Sequence, residues 1–228
     1  MGGIAMSSVK AILFDIDHTL LTEEPLMMLF LPRVYTGIAK KRGITKEEAR
    51  ELFLGEIMRR QGTYEWHDWN FFFQLFDVDL RYEDLLREYP QKLHVYKEVP
   101  TTLQTLKDMG YKLGIITSGP EYQRLKLKLT GLKGYFDIVI TRDDVRAIKP
   151  DPITFLRAVK NLKTEPTNTV MVGDSLAQDI YGAKNVGMVA VWVNRSGESG
   201  YHLPDFEIGN LMELIPCLEE VSKDEEGD

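Results

Sequence analysis

Residues 9–20 read VKAILFDIDHTL, a β-branched and aliphatic run from Val9 to Phe14 that passes without a break into Asp15, Ile16, Asp17, His18 and Thr19. Continuous rather than alternating hydrophobicity marks a strand buried on both faces, as in a parallel sheet covered by helices. Runs of the same kind recur at Tyr111 to Ile116, Phe136 to Ile140, Thr169 to Val172 and Val189 to Val193, and helical patterns separate most of them. The fold class read from this is α/β, a parallel sheet core covered by helices.

Two of the helices carry apolar stripes. Ile153, Leu156, Val159 and Leu162 follow Asp151-Pro152, an N-cap with proline at the first helical position. A second pattern runs from Ser175 through Leu176, Ile180 and Ala183. The first and second strands are separated by far more chain than the dozen or so residues a crossover needs, so residues 21–98 read as an insert. It looks helical: Thr45-Lys46-Glu47-Glu48 is a capping box, followed by Ala49, Leu52, Phe53 and Ile57. The aromatic stretch from Trp66 to Phe76 reads as the insert's own core. The expected organisation is a core of residues 1–20 and 99–228, a smaller helical unit of residues 21–98, and a solvated acidic tail over 222–228.

A length of 228 residues suits one large domain with a satellite, and 43% hydrophobic with 28% charged residues is an ordinary globular composition that excludes global disorder. The net charge of −7, with no basic stripe, argues against nucleic acid and anionic membrane as partners. The single cysteine, Cys217, closes no intramolecular disulfide and provides no thiolate zinc site; it reads as a small buried apolar residue. The apolar stretch Leu26 to Leu31 is too short for a bilayer, and MGGIAMSSVK lacks the pattern of a secretory signal, so a cytoplasmic location is expected. Oligomeric state is not written in the sequence.

Three of the apolar runs end in polar residues at their carboxyl ends, where open parallel sheets place their ligand crevice. These are Asp15-Ile16-Asp17-His18-Thr19, Thr117-Ser118-Gly119 and Gly173-Asp174-Ser175. Asp-x-Asp alone says little, since Asp77 and Asp79 repeat it in a solvated setting; adding threonine two residues on makes a chance match rare, roughly 0.07 per chain. Lys149-Pro150-Asp151-Pro152 and Asp179 complete the set. Taken singly, Lys149 is a surface lysine, Asp151 an N-cap and Asp179 a complement to a helix dipole. Their conjunction in this order is what such roles leave unexplained.

In that order FDIDHTL (14–20), IITSG (115–119), the lysine at 149 and VGDSLAQD (172–179) resemble the four motifs of the haloacid dehalogenase superfamily, in its capped phosphatase branch. The resemblance implies a Rossmann-like sheet with the first strand central and a helical cap in the insert. It implies Asp15 as nucleophile, Asp17 as acid and base, and Thr117, Ser118 and Lys149 as phosphate binders. Mg2+ would be held by Asp15, the backbone carbonyl of Asp17 and Asp174, with Asp179 supporting or joining. Ser118 stands where the family often has asparagine, and His18 where glycine is frequent.

The residue types suit the chemistry. A phosphate dianion beside an anionic nucleophile needs a hard divalent cation with oxygen ligands, and magnesium fits a cluster of Asp without His or Cys. Asp17 disfavours dehalogenation, because a departing halide needs no proton donor. A sugar phosphomutase shares all four motifs, and a non-catalytic binding protein could share the fold. The expectation is a magnesium-dependent phosphatase of small soluble phosphate monoesters. Arg33, Trp66, His67 and Trp69 of the insert read as helix surface or core and are assigned no role. His18 either touches substrate or fills its loop. Lys149, carrying little core, is expected to tolerate methionine without loss of folding.

Overall fold

The computed structural model describes residues 9–197 and 203–223. Strand β1 (Ala11–Phe14) is followed by β2 (Leu21–Thr22), the helices α1 (Glu24–Arg42), α2 (Lys46–Arg59), α3 (Trp69–Leu75) and α4 (Tyr82–Glu88), and β3 (His94–Val95). Then come α5 (Val99–Asp108), β4 (Lys112–Ile116), α6 (Gln123–Leu129), β5 (Ile138–Ile140), α7 (Arg142–Val145) and α8 (Pro152–Leu162). The chain ends through β6 (Thr169–Gly173), α9 (Tyr181–Asn185), β7 (Val189–Val193), β8 (Phe206–Ile208) and α10 (Leu214–Lys223).

The main sheet is ordered β5-β4-β1-β6-β7-β8, with every neighbouring pair parallel. Numbered among themselves these strands run 3-2-1-4-5-6, the doubly wound Rossmann-like order with the first strand inside. The two faces of β1 explain its unbroken hydrophobicity. Ile12 and Phe14 pack with Val99, Leu103 and Leu214 on one side, while Ala11 and Leu13 pack with Phe155, Ala158 and Ile180 on the other. Gly114 on β4 lets the neighbours close, since a Cβ there would lie 2.8 Å from both Ile138 and Leu13. Phe14 is level with Ile115 of β4 and Val172 of β6, so Asp15 emerges at the carboxyl edge between them.

Between β2 and β3, which pair as a short antiparallel ribbon, α1–α4 build a second hydrophobic cluster around Phe30, Phe53, Phe72, Phe73 and Tyr82. Tyr122, Leu125 and Leu129, at and within α6, pack into it from the sheet side. Phe72, Phe73 and Phe76 are buried there, as the core reading of the aromatic stretch requires.

Several sequence expectations shift. On α8 the buried face is Phe155, Ala158, Val159 and Leu162, and Ile153 and Leu156 are exposed. A strict three-residue spacing walks backwards around a 3.6-residue helix, whereas the three-and-four spacing of the buried set stays on one face. On α2, Leu52 is exposed and the Glu56 position lies inside. Residues Leu176–Ile180 form a wide turn, with the Ile180 N–H bonded to the Ser175 carbonyl, and α9 begins only at Tyr181. Helix α10 runs to Lys223, two residues into the segment expected as tail; residues 224–228 lie outside the described ones. Cys217 is only half-buried. No described helix is long and apolar enough to cross a membrane.

Candidate active site

Asp15 follows the last residue of β1, its N–H bonded to the Val172 carbonyl at 3.0 Å, and it is 9% exposed. Asp174 follows β6 in the same way, and Asp179 is brought round beside it by the wide turn. Oxygens of Asp15, Asp174 and Asp179 all lie within 4.8 Å of one another. Gly173 makes room for this: a Cβ there would fall 2.3 Å from the Asp179 carboxyl. The Asp179 carboxylate also accepts the Ser175 N–H at 3.0 Å.

Lys149 reaches this group from the loop before α8. Its ammonium donates to Asp15 Oδ1 and Asp179 Oδ1, each at 2.6 Å. Its backbone N–H donates to Ser118 Oγ at 3.1 Å, and that hydroxyl in turn donates to Gln178 at 2.8 Å. Thr117 Oγ1 accepts the Gly119 N–H at 3.1 Å, which orders the loop after β4. Thr117, Ser118 and Lys149 are all buried and line one cavity with Asp15, Asp17, Asp174 and Asp179. Every site residue read from the sequence therefore converges on one place.

Burial, with the Asp179 and Asp174 charges, pushes the Asp15 carboxyl well up against the pull of Lys149. Burial and Asp179 likewise push Asp174 up to about 6. Crowding carboxylates like this is costly unless a cation shares them. Lys149 neutralises part of the charge, and burial, which would lower its pKa, is outweighed by Asp15 and Asp179, which raise it. The oxygen-only donor set fits Mg2+.

Asp17 makes a different set of contacts. Its carboxylate accepts from Lys126 Nζ at 2.8 and 3.0 Å and from Gln123 Nε2 at 2.8 Å. Burial would raise its pKa, but the Lys126 ammonium and the Gln123 amide outweigh that and hold it below the ordinary value. Lys126, 1% exposed on α6, also pairs with Glu23 at the base of α1. Glu23 accepts from Trp69 Nε1 at 2.9 Å and from the Tyr82 hydroxyl. A buried chain of charge thus joins the carboxyl edge of the sheet to α3 and α4.

Sequence reasoning missed Lys126, Glu23, Gln123 and Gln178. Lys126 sits in QRLKLKL, where lysine and leucine alternate and no helical face stands out. Trp66, His67 and Trp69, read as surface or core, line the cavity with Met27 and Ile57. His67 Nε2 lies 3.1 Å from the Gln178 amide, and burial, helped by Lys149, lowers its pKa to about 4. Arg33 is exposed beside Tyr89 and takes no part. His18 is exposed at the cavity rim, with left-handed backbone at φ 61.

A family model described as haloacid dehalogenase-like hydrolase matches residues 9–187. The chain is 30% identical to a glyceraldehyde 3-phosphate phosphatase of Methanopyrus kandleri, over 95% of this chain and all of that one. It is 31% identical to the pyrophosphatase PpaX of Bacillus thuringiensis, over 94% and 99%. A crystal structure of an HAD phosphatase from Thermococcus onnurineus superposes with a TM-score of 0.91 at 64% identity, covering 92% of this chain and 98% of that one. A 2-haloacid dehalogenase from Pseudomonas syringae superposes less closely, at 0.68 and 25% identity over 93% and 99%. The chain belongs to the haloacid dehalogenase-like hydrolases. It is an enzyme, and within that family it sits with the phosphatases.

Lys149 is 2% exposed and shared by two carboxylates, so it is no surface lysine, and the expectation that methionine there spares the fold is revised. Lys149→Met is expected to lower thermal stability as well as turnover. The loss is about 1–3 kcal/mol, moderated because Asp15 can take up a proton in place of the lost ion pair. Thermal melts with kinetics check this; an unchanged melt with lost turnover contradicts it.

Proposed function

We propose that this phosphatase hydrolyses small soluble phosphate monoesters with Mg2+, through an aspartyl phosphate on Asp15. The observation that carries the reading is the convergence of Asp15, Asp174, Asp179 and Lys149 at one strand edge, with the Asp17 carboxylate held separately by Lys126. In this reading residues 21–98 form a cap over a core of residues 1–20 and 99–228, and it leaves little room for a protein or nucleic acid. We place the enzyme in the cytoplasm, in keeping with its single cysteine.

Asp15, Asp174 and the Asp17 backbone carbonyl are the proposed holders of Mg2+, with Asp179 supporting. The ion would supply positive charge that lets a dianion approach a carboxylate nucleophile. Lys149 adds fixed charge, and Thr117 and Ser118 offer hydroxyls to the phosphate oxygens. An Asp15 oxygen bonds to phosphorus as the bond to the leaving oxygen breaks, and Asp17 gives that oxygen a proton. Water then attacks the same phosphorus, Asp17 takes its proton, and Asp15 is freed with inorganic phosphate. Lys126 keeps Asp17 ionised in the resting site, which presets it as the base of the second half. The arriving dianion raises its proton affinity, so that Asp17 takes a proton from solvent before the first half and passes that proton to the leaving oxygen.

Phosphate release from p-nitrophenyl phosphate is expected to vanish in chelator and return with magnesium. Because a ligand must be deprotonated to bind metal, the magnesium needed for half-maximal rate is expected to climb as pH falls through about 6, the value for Asp174. Full activity in chelator, or a pH-independent magnesium requirement between pH 5 and 8, contradicts the assignment.

A further inference from the structure

The cavity at the carboxyl edge has a volume of about 360 Å³ and a pronounced charge imbalance. Five carboxylates line it, Asp15, Asp17, Glu23, Asp174 and Asp179, against two ammonium groups, Lys126 and Lys149. Both ammoniums are already committed, Lys149 to Asp15 and Asp179, and Lys126 to Asp17 and Glu23. Arg142 and Arg195 are tied elsewhere, to Asp68 and to Glu98. His67, lowered to about 4, adds no charge at neutral pH. A divalent cation and the phosphate dianion cancel each other, so whatever the phosphate is attached to meets a negative field in which both lysines of the described lining are already paired.

The lining also includes Met27, Ile57, Trp66 and Trp69, which suit C–H surfaces. Beside Asp17, one buried polar atom of a lining residue has no donor. Gln123 is 4% exposed, and its Nε2 is fixed on Asp17, which as a carboxylate only accepts. Its Oε1 therefore stays an acceptor, and it is buried without a hydrogen-bond partner. A buried acceptor of this kind is satisfied by a hydroxyl, not by a second anion.

Resting on the phosphatase reading, we infer that the leaving group is small, uncharged and hydroxylated, and that carboxylated phosphate esters and pyrophosphate are disfavoured. The volume holds about a dozen non-hydrogen atoms at the packing of liquid water, which leaves room for three or four carbons beside the phosphate. The inference separates this chain from the pyrophosphatase relative, despite 31% identity.

The test measures kcat/KM with magnesium for glycerol 3-phosphate, 3-phosphoglycerate, propyl phosphate and pyrophosphate, with p-nitrophenyl phosphate as reference. Glycerol 3-phosphate is expected to exceed each of the other three physiological-sized esters and anhydride by at least about tenfold, about 1.4 kcal/mol. Met27→Lys, or Ile57→Lys should the first fail to fold, is expected to shrink the ratio of glycerol 3-phosphate to 3-phosphoglycerate at least tenfold. The ratio is read within one variant, so a general loss of activity cancels. Turnover of the aryl ester together with equal or better use of 3-phosphoglycerate, propyl phosphate or pyrophosphate overturns the inference and leaves the phosphatase reading standing. No release from any of them, the aryl ester included, overturns both.

Discussion

Asp15→Asn is expected to lower turnover of every phosphate ester by about 10⁴-fold or more, with no phosphoprotein trapped on rapid acid quench. The amide cannot attack phosphorus, and no other carboxylate stands in the same position: Asp17 is turned to Lys126, and Asp179 shares its Lys149 bond with Asp15 from the other side. The same change is expected to stabilise the fold in chelator at neutral pH. Burial and the neighbouring aspartates raise the Asp15 carboxyl above its unfolded value, so its ionised form opposes folding. That penalty is absent below the unfolded pKa, grows as pH rises towards the folded pKa, and is full above it. The variant should therefore melt higher than the parent at pH 7 and level with it near pH 3. Equal melts across the range would contradict the sign, and a phosphoprotein formed by the variant would remove Asp15 as nucleophile.

This opposition of stability and chemistry also explains what the sequence disclosed. Asp15, Thr117 and Asp174 each follow a strand that is apolar on both faces, so the strand announces the residue at its end. The proposed catalytic edge was legible because the sheet positions it through periodicity that short segments carry alone. Strand β8, three residues reading Phe206-Glu207-Ile208, has no such run, and the two-residue strands β2 and β3 carry no period at all. The stripe on α8 was misplaced because Ile153 and Leu156 look as apolar as Phe155 and Ala158, and only the drift of three-residue spacing distinguishes them. Lys126 was invisible for a deeper reason. A buried lysine is tolerable only with its counter-charges, and Asp17 lies 109 positions away in sequence. Nothing local to QRLKLKL records that pairing. The cavity walls failed similarly: Trp66 and Trp69 belong to an aromatic stretch whose Phe72 and Phe73 are core, and composition cannot tell which members turn to the cavity.

Lys126→Met is expected to be the most destabilising of these changes at neutral pH, by about 3–5 kcal/mol, because it leaves the half-buried Asp17 and the buried Glu23 carboxylates without their cation. For a chain of this size that corresponds to roughly 6–20 °C in Tm. The pH dependence follows from the direction of the Asp17 shift. Its folded pKa lies below the unfolded one, so the pairing contributes fully above the unfolded value and is lost as pH falls through the folded value. Parent and variant melts should therefore converge in acid. Kinetics separates this from simple loss of packing. Without Lys126 the Asp17 carboxyl rises, so it is less often ionised when the proposed aspartyl phosphate needs a base. The acidic limb of the pH–rate profile should move to higher pH, and phosphoenzyme should accumulate from p-nitrophenyl phosphate, whose departure needs no proton. Adding Glu23→Gln removes one unpaired charge and should restore part of the stability without restoring the limb, since Asp17 still lacks its partner. A Lys126→Met enzyme that melts like the parent, or whose acidic limb stays in place, would show that Lys126 neither stabilises the Asp17 carboxylate nor sets its proton affinity.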